Sequence, residues 1–268
     1  MIGDHHFDAM NLDKAEASYR TILEAPESHV HGMARYKMAW CHINRNRYPE
    51  AVELLESLVA DPRYDEQKTE IDAYKKMNLR REALMDLAYC YTEVRNPEDA
   101  LDYFARLADS KALYLAVLDK LGQRYFLKED WTSAGRVFAK ILSLCRDTTR
   151  APEYAEKLFA CAQKSRGLDK PDENVRLLVR TLADIEHDWR IPDEAKEKWR
   201  KDLELYARDM ATRLHVEARE KHDPVLAGQA ADAYKHYLEF FRGGEFSRDL
   251  LHNQAEALFL AKRYFEAA

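Results

Sequence analysis

Histidine and acidic side chains are the groups in this sequence whose types and spacing could do chemistry. His5-His6 and His29-x-His31 could bind a metal, but neither pair is accompanied by a second pair or a carboxylate at a defined spacing. We therefore interpret both as solvated surface. Asp86 and Glu93 could form a catalytic pair, but nothing around them predicts desolvation or orientation. No nucleophile-elbow, metalloprotease or phosphate-loop motif occurs, so we predict a protein that is not an enzyme, with neither metal nor cofactor.

The four cysteines offer a second kind of chemistry. None of them has the spacing of a metal-ligand motif. Cys41 and Cys90 fall at equivalent positions in predicted helices, which is typical of buried, unreactive thiols. Cys145 and Cys161 could approach each other across a helix–helix turn, and the sequence leaves open whether they form a disulfide.

The composition excludes several functional classes. With 8 Gly and 8 Pro in 268 residues, long stretches rich in helix formers have few breakers, which predicts an all-α chain. The formal net charge is −6, so we expect no nucleic-acid partner. No apolar run approaches the ~18 residues of a membrane span, so we expect no direct span.

A small-residue template recurs along the chain. At five places an alanine follows a bulky or turn-forming residue by three, the alanines being Ala15, Ala51, Ala100, Ala134 and Ala267. After each of the first four, bulky residues follow at four and seven positions, as Phe104 and Leu107 follow Ala100. Ala100 and Ala134 are 34 residues apart. Self-similarity at this period indicates stacked helix pairs, a fold that builds long binding surfaces.

The spacing of the template divides the chain into two parts. We assign residues 1–149 to a partial first repeat and three good repeats, and 150–268 to degenerate helical repeats that end in a truncated one. Arg63–Arg80 interrupts the period and predicts an extended first helix. Pro152–Arg166 and Asp172–Glu186 predict a helix pair, and residues 193–220 one long helix.

The helix patterns carry a family resemblance. Leu87-Ala88 with Tyr91, joined to the Ala, Phe and Leu of the next helix, is similar to a tetratricopeptide repeat. Three segments resemble this repeat well: Met33–Asp61, Glu82–Asp109 and Leu115–Cys145. The resemblance implies a right-handed superhelix of antiparallel helix pairs, an α-solenoid whose first helices line a concave groove for proteins or peptides. More loosely, the second half resembles multi-repeat proteins of the bacterial envelope and of gliding-motility machines.

The register of that family assigns a partner-binding groove. The groove-facing residues are Met33, Tyr36, Lys37, Trp40, Asn44, Met85, Asp86, Tyr89, Glu93, Asp119, Lys120 and Gln123. Its aromatic and Met side chains would give a partner large contact area. Asp86, Glu93 and Asp119 stand where the family's carboxylate clamp needs cations, so we expect a partner with a basic segment rather than a C-terminal carboxylate. The alternative is that Tyr36 and Trp40 pack against a neighbouring helix.

Two functional hypotheses follow. The first is a non-catalytic scaffold or adaptor that holds a peptide segment or partner protein in the groove. The alternative is a structural subunit of a bacterial envelope or motility complex, self-associating or packed in a fixed assembly. A large apolar patch on a convex or terminal face would favour the second. The compartment, whether bacterial periplasm, envelope or cytoplasm, stays open, and we expect the sequence to be a piece of a longer protein.

Overall fold

The protein is all-α, as the composition and the repeat predict. The computed structural model describes residues 2–25, 27–64, 78–165 and 167–267, and within these ranges all regular secondary structure is helical. Two short 3₁₀ helices cover Pro62–Tyr64 and Pro97–Asp99. The α-helices of the described residues are α1 (Ile2–Asp8), α2 (Leu12–Leu23), α3 (His31–Asn44), α4 (Tyr48–Val59), α5 (Leu79–Val94), α6 (Ala100–Leu107), α7 (Lys111–Leu127), α8 (Trp131–Leu144), α9 (Ala151–Lys164), α10 (Pro171–His187), α11 (Asp193–Lys221), α12 (Pro224–Phe240), α13 (Ser247–Leu260) and α14 (Tyr264–Ala267).

Five helix–helix turns share one backbone geometry. Just after the first helix of the pair, one residue has a left-handed φ, and the next N–H bonds back to a carbonyl five residues earlier. Arg47 N–H, for example, donates to the His42 carbonyl at 2.9 Å. The left-handed residues are Met10, Asn46, Glu129, His222 and Lys262. This Schellman closure satisfies the last helix carbonyls and reverses the chain direction within a few residues.

Side-chain caps then start the following helices. Asn11, Asp130 and Asp223 come directly after left-handed residues, and each accepts a hydrogen bond from a backbone N–H in the first turn of the next helix. Asn78 caps α5 in the same way. Proline lies in the first turn of α4, α9, α10 and α12, where a missing N–H costs nothing. The turn residues therefore specify where these helices begin and where the chain reverses direction.

The template residues form the core. Ala15, Ala51, Ala100 and Ala134 are completely buried. So are the bulky residues that follow them by four, namely Tyr19, Leu55, Phe104 and Phe138. The small residues at the inner face of first helices, Ala39, Ala88 and Gly122, are buried as well. The predicted register of the repeats is thus confirmed at these positions.

The chain divides into two compact units, Met1–Arg124 and Tyr125–Ala268. In the first, consecutive helices from α1 to α5 pack against one another, and α3 also contacts α5. In the second, α8 packs on α9, and α10 to α13 form a consecutive series in which α12 also contacts α10. The division lies inside α7, whereas the predicted boundary at residue 149 was drawn on repeat regularity and stays a prediction.

The predicted irregular elements have different outcomes. The long helix is α11, Asp193–Lys221, and the predicted pair before it is α9 and α10. The extended first helix at Arg63–Arg80 lies mainly outside the described residues, since 65–77 are not among them. Before residues 65–77 the chain forms the 3₁₀ helix Pro62–Tyr64. After them α5 begins at Leu79, with Asn78 as its N-cap. The extended first helix therefore stays a prediction over most of its length, and the described residues show only that Asn78 has an extended backbone and that α5 begins after it.

Candidate functional site

The predicted groove residues lie on three first helices of the first unit: α3, α5 and the part of α7 up to Arg124. Tyr36 and Asp86 are buried, whereas Asn44, the last residue of α3, is exposed. The others are partly exposed: Met33, Lys37, Trp40, Met85, Tyr89, Glu93, Asp119, Lys120 and Gln123. Most of the predicted set is thus reachable from solvent.

Asp86 of α5 joins all three helices. The Tyr36 hydroxyl donates to Asp86 Oδ2 at 2.6 Å, and Trp40 Nε1 donates to the same oxygen at 3.0 Å. From α7, Lys120 Nζ donates to Asp86 Oδ1 at 2.9 Å. We call Tyr36, Trp40, Asp86 and Lys120 the Asp86 cluster. A buried carboxylate is costly unless it is paired and hydrogen-bonded, and this one receives three donors from two neighbouring helices.

The protonation state of Tyr36 is set by this arrangement. Burial, and then its hydrogen bond to Asp86, raise the pKa of Tyr36 well above its usual value. Tyr36 is therefore a hydrogen-bond donor at any physiological pH and has no use as a proton acceptor. Tyr36 is buried and bonded to α5, as expected if it packs against a neighbouring helix. The Trp40 ring, in contrast, stays partly exposed although its N–H is bonded.

A second group lies one to two turns further along the same helices. Arg124 Nη2 of α7 bonds Glu93 Oε1 of α5 at 2.8 Å, and the guanidinium sits 4.3 Å from the centre of the Tyr89 ring. The Tyr48 ring at the start of α4 lies 6.1 Å from that of Tyr89. We call Tyr48, Tyr89, Glu93 and Arg124 the Glu93 cluster. The hydrogen bond between Tyr48 and Tyr89 raises the pKa of Tyr48, and burial raises it further.

The two ion pairs change the role expected of the acidic residues. In each pair the cation is the more exposed partner: Lys120 is 36% exposed against 10% for Asp86, and Arg124 is 28% against 20% for Glu93. Asp86 and Glu93 are therefore neutralised from within the molecule. Their expected attraction for a basic segment loses its support, because a partner's cation would have to displace Lys120 or Arg124.

Sequence reasoning missed Arg124 and the pairing itself. A usable signal was present, because Asp86 and Lys120 are 34 residues apart, which is one repeat, and carry opposite charge. Glu93 and Arg124 are 31 apart. Among the other predicted residues, Gln123 Nε2 donates to Asp119 Oδ1 at 3.5 Å and Lys37 Nζ lies 5.0 Å from the Phe7 ring centre.

The histidines considered as metal ligands differ in their burial. Within the described residues, no group of three His, Cys, Asp or Glu side chains could hold a metal. The interpretation of His31 as surface is wrong: it lies in the first turn of α3 and is 5% exposed. Burial is the main cause that lowers its pKa. His5 and His29 are exposed, as expected.

All four cysteines are free. Cys41 and Cys90 are buried as predicted, and so is Cys161. Burial raises the pKa of the Cys41 thiol to about 11 and that of the Cys90 and Cys161 thiols to about 12. These three thiols therefore have little thiolate at neutral pH.

Comparison with known families supports the repeat in two segments. A tetratricopeptide repeat model matches residues 33–62 and 82–110, which are two of the three segments expected to carry it. No curated protein matches the chain. A tetratricopeptide repeat protein from Parabacteroides merdae has 17% identity and a TM-score of 0.40, with 94% of this chain and 95% of that one covered.

Two further solved structures cover most of this chain. The C-terminal part of a repeat protein from Cytophaga hutchinsonii has 13% identity and a TM-score of 0.31, over 93% of this chain and 98% of that one. A de novo designed helical repeat protein has 16% identity and a TM-score of 0.24, over 98% and 97%. Among the described helices, none has the length and apolar character needed to cross a membrane.

Proposed function

We propose, on the premise that the chain carries two tetratricopeptide repeats, that it is a non-catalytic scaffold or adaptor which binds a segment of a partner protein. Tetratricopeptide repeats generally mediate protein–protein interactions. The observation that carries the proposal is the Asp86 cluster. Hydrogen bonds to one carboxylate join three first helices. They fix these helices while the side chains around the carboxylate stay partly exposed to solvent.

The binding surface has an apolar centre and a polar edge. Met33 and Trp40 on α3, with Met85 and Tyr89 on α5, form the centre, and all four are partly exposed. Lys120 and Arg124 of α7 form the edge. Aromatic and Met side chains adapt to a partner while burying much area, and such residues dominate the energy of interfaces.

The partner segment is anchored chiefly by apolar side chains. Because Asp86 and Glu93 are paired internally, electrostatics contributes less to affinity than the sequence suggested. An attraction for a basic segment of the partner stays a prediction. A structural subunit of a bacterial envelope or motility complex is the alternative hypothesis, and no observation favours it over the scaffold.

A matched pair of variants on one helix tests this proposal. The purified chain selects binders from a phage-displayed random peptide library, and calorimetry then gives the Kd of a selected peptide. Met85→Glu places a charge in the apolar centre and should weaken binding about 30-fold or more, as expected for a central anchor. Val94→Glu is the control: Val94 is 38% exposed and lies nine residues, or half a helical rotation, from Met85.

The two variants must first have the wild-type helical content by circular dichroism. If Met85→Glu binds the peptide as tightly as wild type, or if Val94→Glu weakens binding as much, the proposed surface is wrong. Failure to select any peptide, with a folded protein and a control library that works, would also count against it.

A further inference from the structure

The sulfur-containing side chains of the first unit differ in how an oxidant could reach them. Cys41 and Cys90 are buried, and burial raises the pKa of both thiols, so neither reacts readily at neutral pH. Met33 on α3 and Met85 on α5 are partly exposed to solvent. A thioether has no proton to lose, so its oxidation depends on access rather than on pH. The reactive sulfur atoms of the proposed binding surface are therefore those of its two methionines.

The position of these two methionines gives their oxidation a consequence for binding. With Trp40 and Tyr89 they supply the apolar centre of the proposed surface. Oxidation turns the flexible, apolar methionine side chain into a polar sulfoxide. A partner that buries a sulfoxide against its own apolar side chains removes water from the new oxygen without replacing the lost hydrogen bonds, which weakens binding.

Two methionines outside the surface provide references at the two extremes of exposure. Met10, at the turn between α1 and α2, is 65% exposed, whereas Met210 of α11 is 6% exposed. Exposure therefore predicts that an oxidant in solution reacts first with Met10, then with the two methionines of the binding surface, and last with Met210.

We propose that Met33 and Met85 form an oxidation switch operated by hydrogen peroxide, an inference that rests on the proposed function. In each oxidation the sulfur lone pair attacks one peroxide oxygen, so that an S–O bond forms and the O–O bond breaks. The second oxygen leaves as water with both peroxide protons; the thioether is oxidised and the peroxide is reduced. The oxidised surface releases the partner segment, and methionine sulfoxide reductases with a thiol reductant reverse the change.

Timed exposure to hydrogen peroxide, followed by peptide mass spectrometry, tests the chemical step. The Cys145→Ser variant serves as the parent, because it lacks the partly exposed thiol. Met33 and Met85 should each gain one oxygen atom faster than Met210. A bound peptide, selected on the purified chain as above, should slow the oxidation of both and leave that of Met10 unchanged. Helical content by circular dichroism should stay that of the untreated protein.

Calorimetry with the same peptide tests the effect on binding, and each variant is compared with itself before and after peroxide. Treatment of the parent should raise the Kd at least about 10-fold, as expected when apolar anchors become polar, and the reductases should restore it. In the double variant Met33→Leu and Met85→Leu, whose side chains have similar volume and no sulfur, treatment should leave the Kd where it was. The control variant Met10→Leu should respond to peroxide as the parent does.

Several results would overturn the switch while the proposed function stands. These are oxidation of Met33 and Met85 no faster than that of Met210, an unchanged Kd after both sulfoxides have formed, or an equal loss of binding in the double leucine variant. Loss of helical content on treatment would do the same, because release would then follow from unfolding. In contrast, a peptide that binds Met85→Glu as tightly as wild type, or that protects neither methionine, would refute the binding surface itself and the switch with it.

Discussion

Tyrosine hydroxyls join neighbouring helices in the described part of the chain by donating to carboxylates. The pairs are Tyr19 with Asp4, Tyr36 with Asp86, Tyr103 with Glu56 and Tyr237 with Glu204, at 2.6–2.8 Å. In the last three the carboxylate also pairs with a cation. Burial, then this hydrogen bond, raise the pKa of each of the four hydroxyls. Satisfied buried networks of this kind favour one arrangement of helices over others.

At this scale we expect Asp86→Ala to be strongly destabilising. It removes the acceptor of Tyr36 and Trp40 and leaves the Lys120 ammonium without its partner, so the free energy of unfolding should fall by about 3 kcal/mol. Urea denaturation followed by circular dichroism measures it. Glu82→Ala, which removes a partly exposed carboxylate of the same helix, should cost under about 1 kcal/mol. A similar loss in both variants would mean that the hydrogen bonds of the Asp86 cluster contribute no more to the free energy of unfolding than an ordinary surface carboxylate does.

Truncation of the template phenylalanines is a second residue-scale prediction. Phe104 and Phe138 are completely buried, and each packs near a tyrosine ring, Tyr91 and Tyr154 respectively. Phe104→Ala and Phe138→Ala should each lower the free energy of unfolding by about 3–5 kcal/mol. A loss below about 1 kcal/mol in equilibrium unfolding would mean that the site collapses around the smaller residue or is not core.

At the scale of elements, the turn between helices recurs along the chain as regularly as the helix pair does. Left-handed residues at these turns are Met, Asn, Glu, His and Lys, none of them Gly. Such residues have a Cβ that is strained in this conformation by roughly 1–2 kcal/mol. The surrounding Schellman bonds and caps must offset that strain at every repeat, which keeps the helix boundaries where they are.

We expect Glu129→Gly to stabilise the protein. Glu129 is exposed and has a φ of 60°, which glycine adopts without strain. Relief of strain should exceed the added entropy of the unfolded chain, giving a gain of about 0.5–1 kcal/mol. Glu129→Val, whose branched side chain tolerates this conformation least, should destabilise. Thermal melts compare the two variants, and a lower midpoint for Glu129→Gly would contradict the expectation.

The elements were largely predictable and the side-chain network was not. Proline in first turns, polar turns and the alanine template placed α3, α4, α8 and α11 because these are local signals. The hydrogen bond from Tyr36 to Asp86 spans 50 residues, which is more than one repeat, so the period alone could not align the two. His31 was misjudged because it was interpreted as one half of an exposed His-x-His pair, whereas it begins α3, which packs on α2.

At the scale of the whole molecule, buried histidines in both units make stability depend on pH. His31, His42 and His215 are at most 7% exposed, and burial is the main cause that lowers the pKa of each below 6.5. Between the folded and unfolded pKa values, the unfolded chain binds protons that the folded chain excludes. Stability is therefore full above about pH 6.5 and falls as the pH drops through the folded pKa values.

We expect the urea midpoint to fall between about pH 7 and pH 5. His215→Leu, which removes one buried titrating ring beside Tyr234, should make that fall shallower. His252→Gln, at an exposed histidine of α13, should leave its slope unchanged. A midpoint that stays constant over this range, or a wild-type slope in His215→Leu, would mean that other groups compensate.

The Asp86 cluster also bears on how such a chain can evolve. It draws Tyr36 and Trp40, Asp86, and Lys120 from three successive first helices, so no single helix pair contains a complete copy. Duplicating, deleting or shuffling one of these helix pairs would keep every pair intact and still leave a buried carboxylate facing the wrong neighbour. Helical arrays usually lengthen by copying interchangeable modules; here the three helix pairs would have to be inherited, or transplanted, as one block.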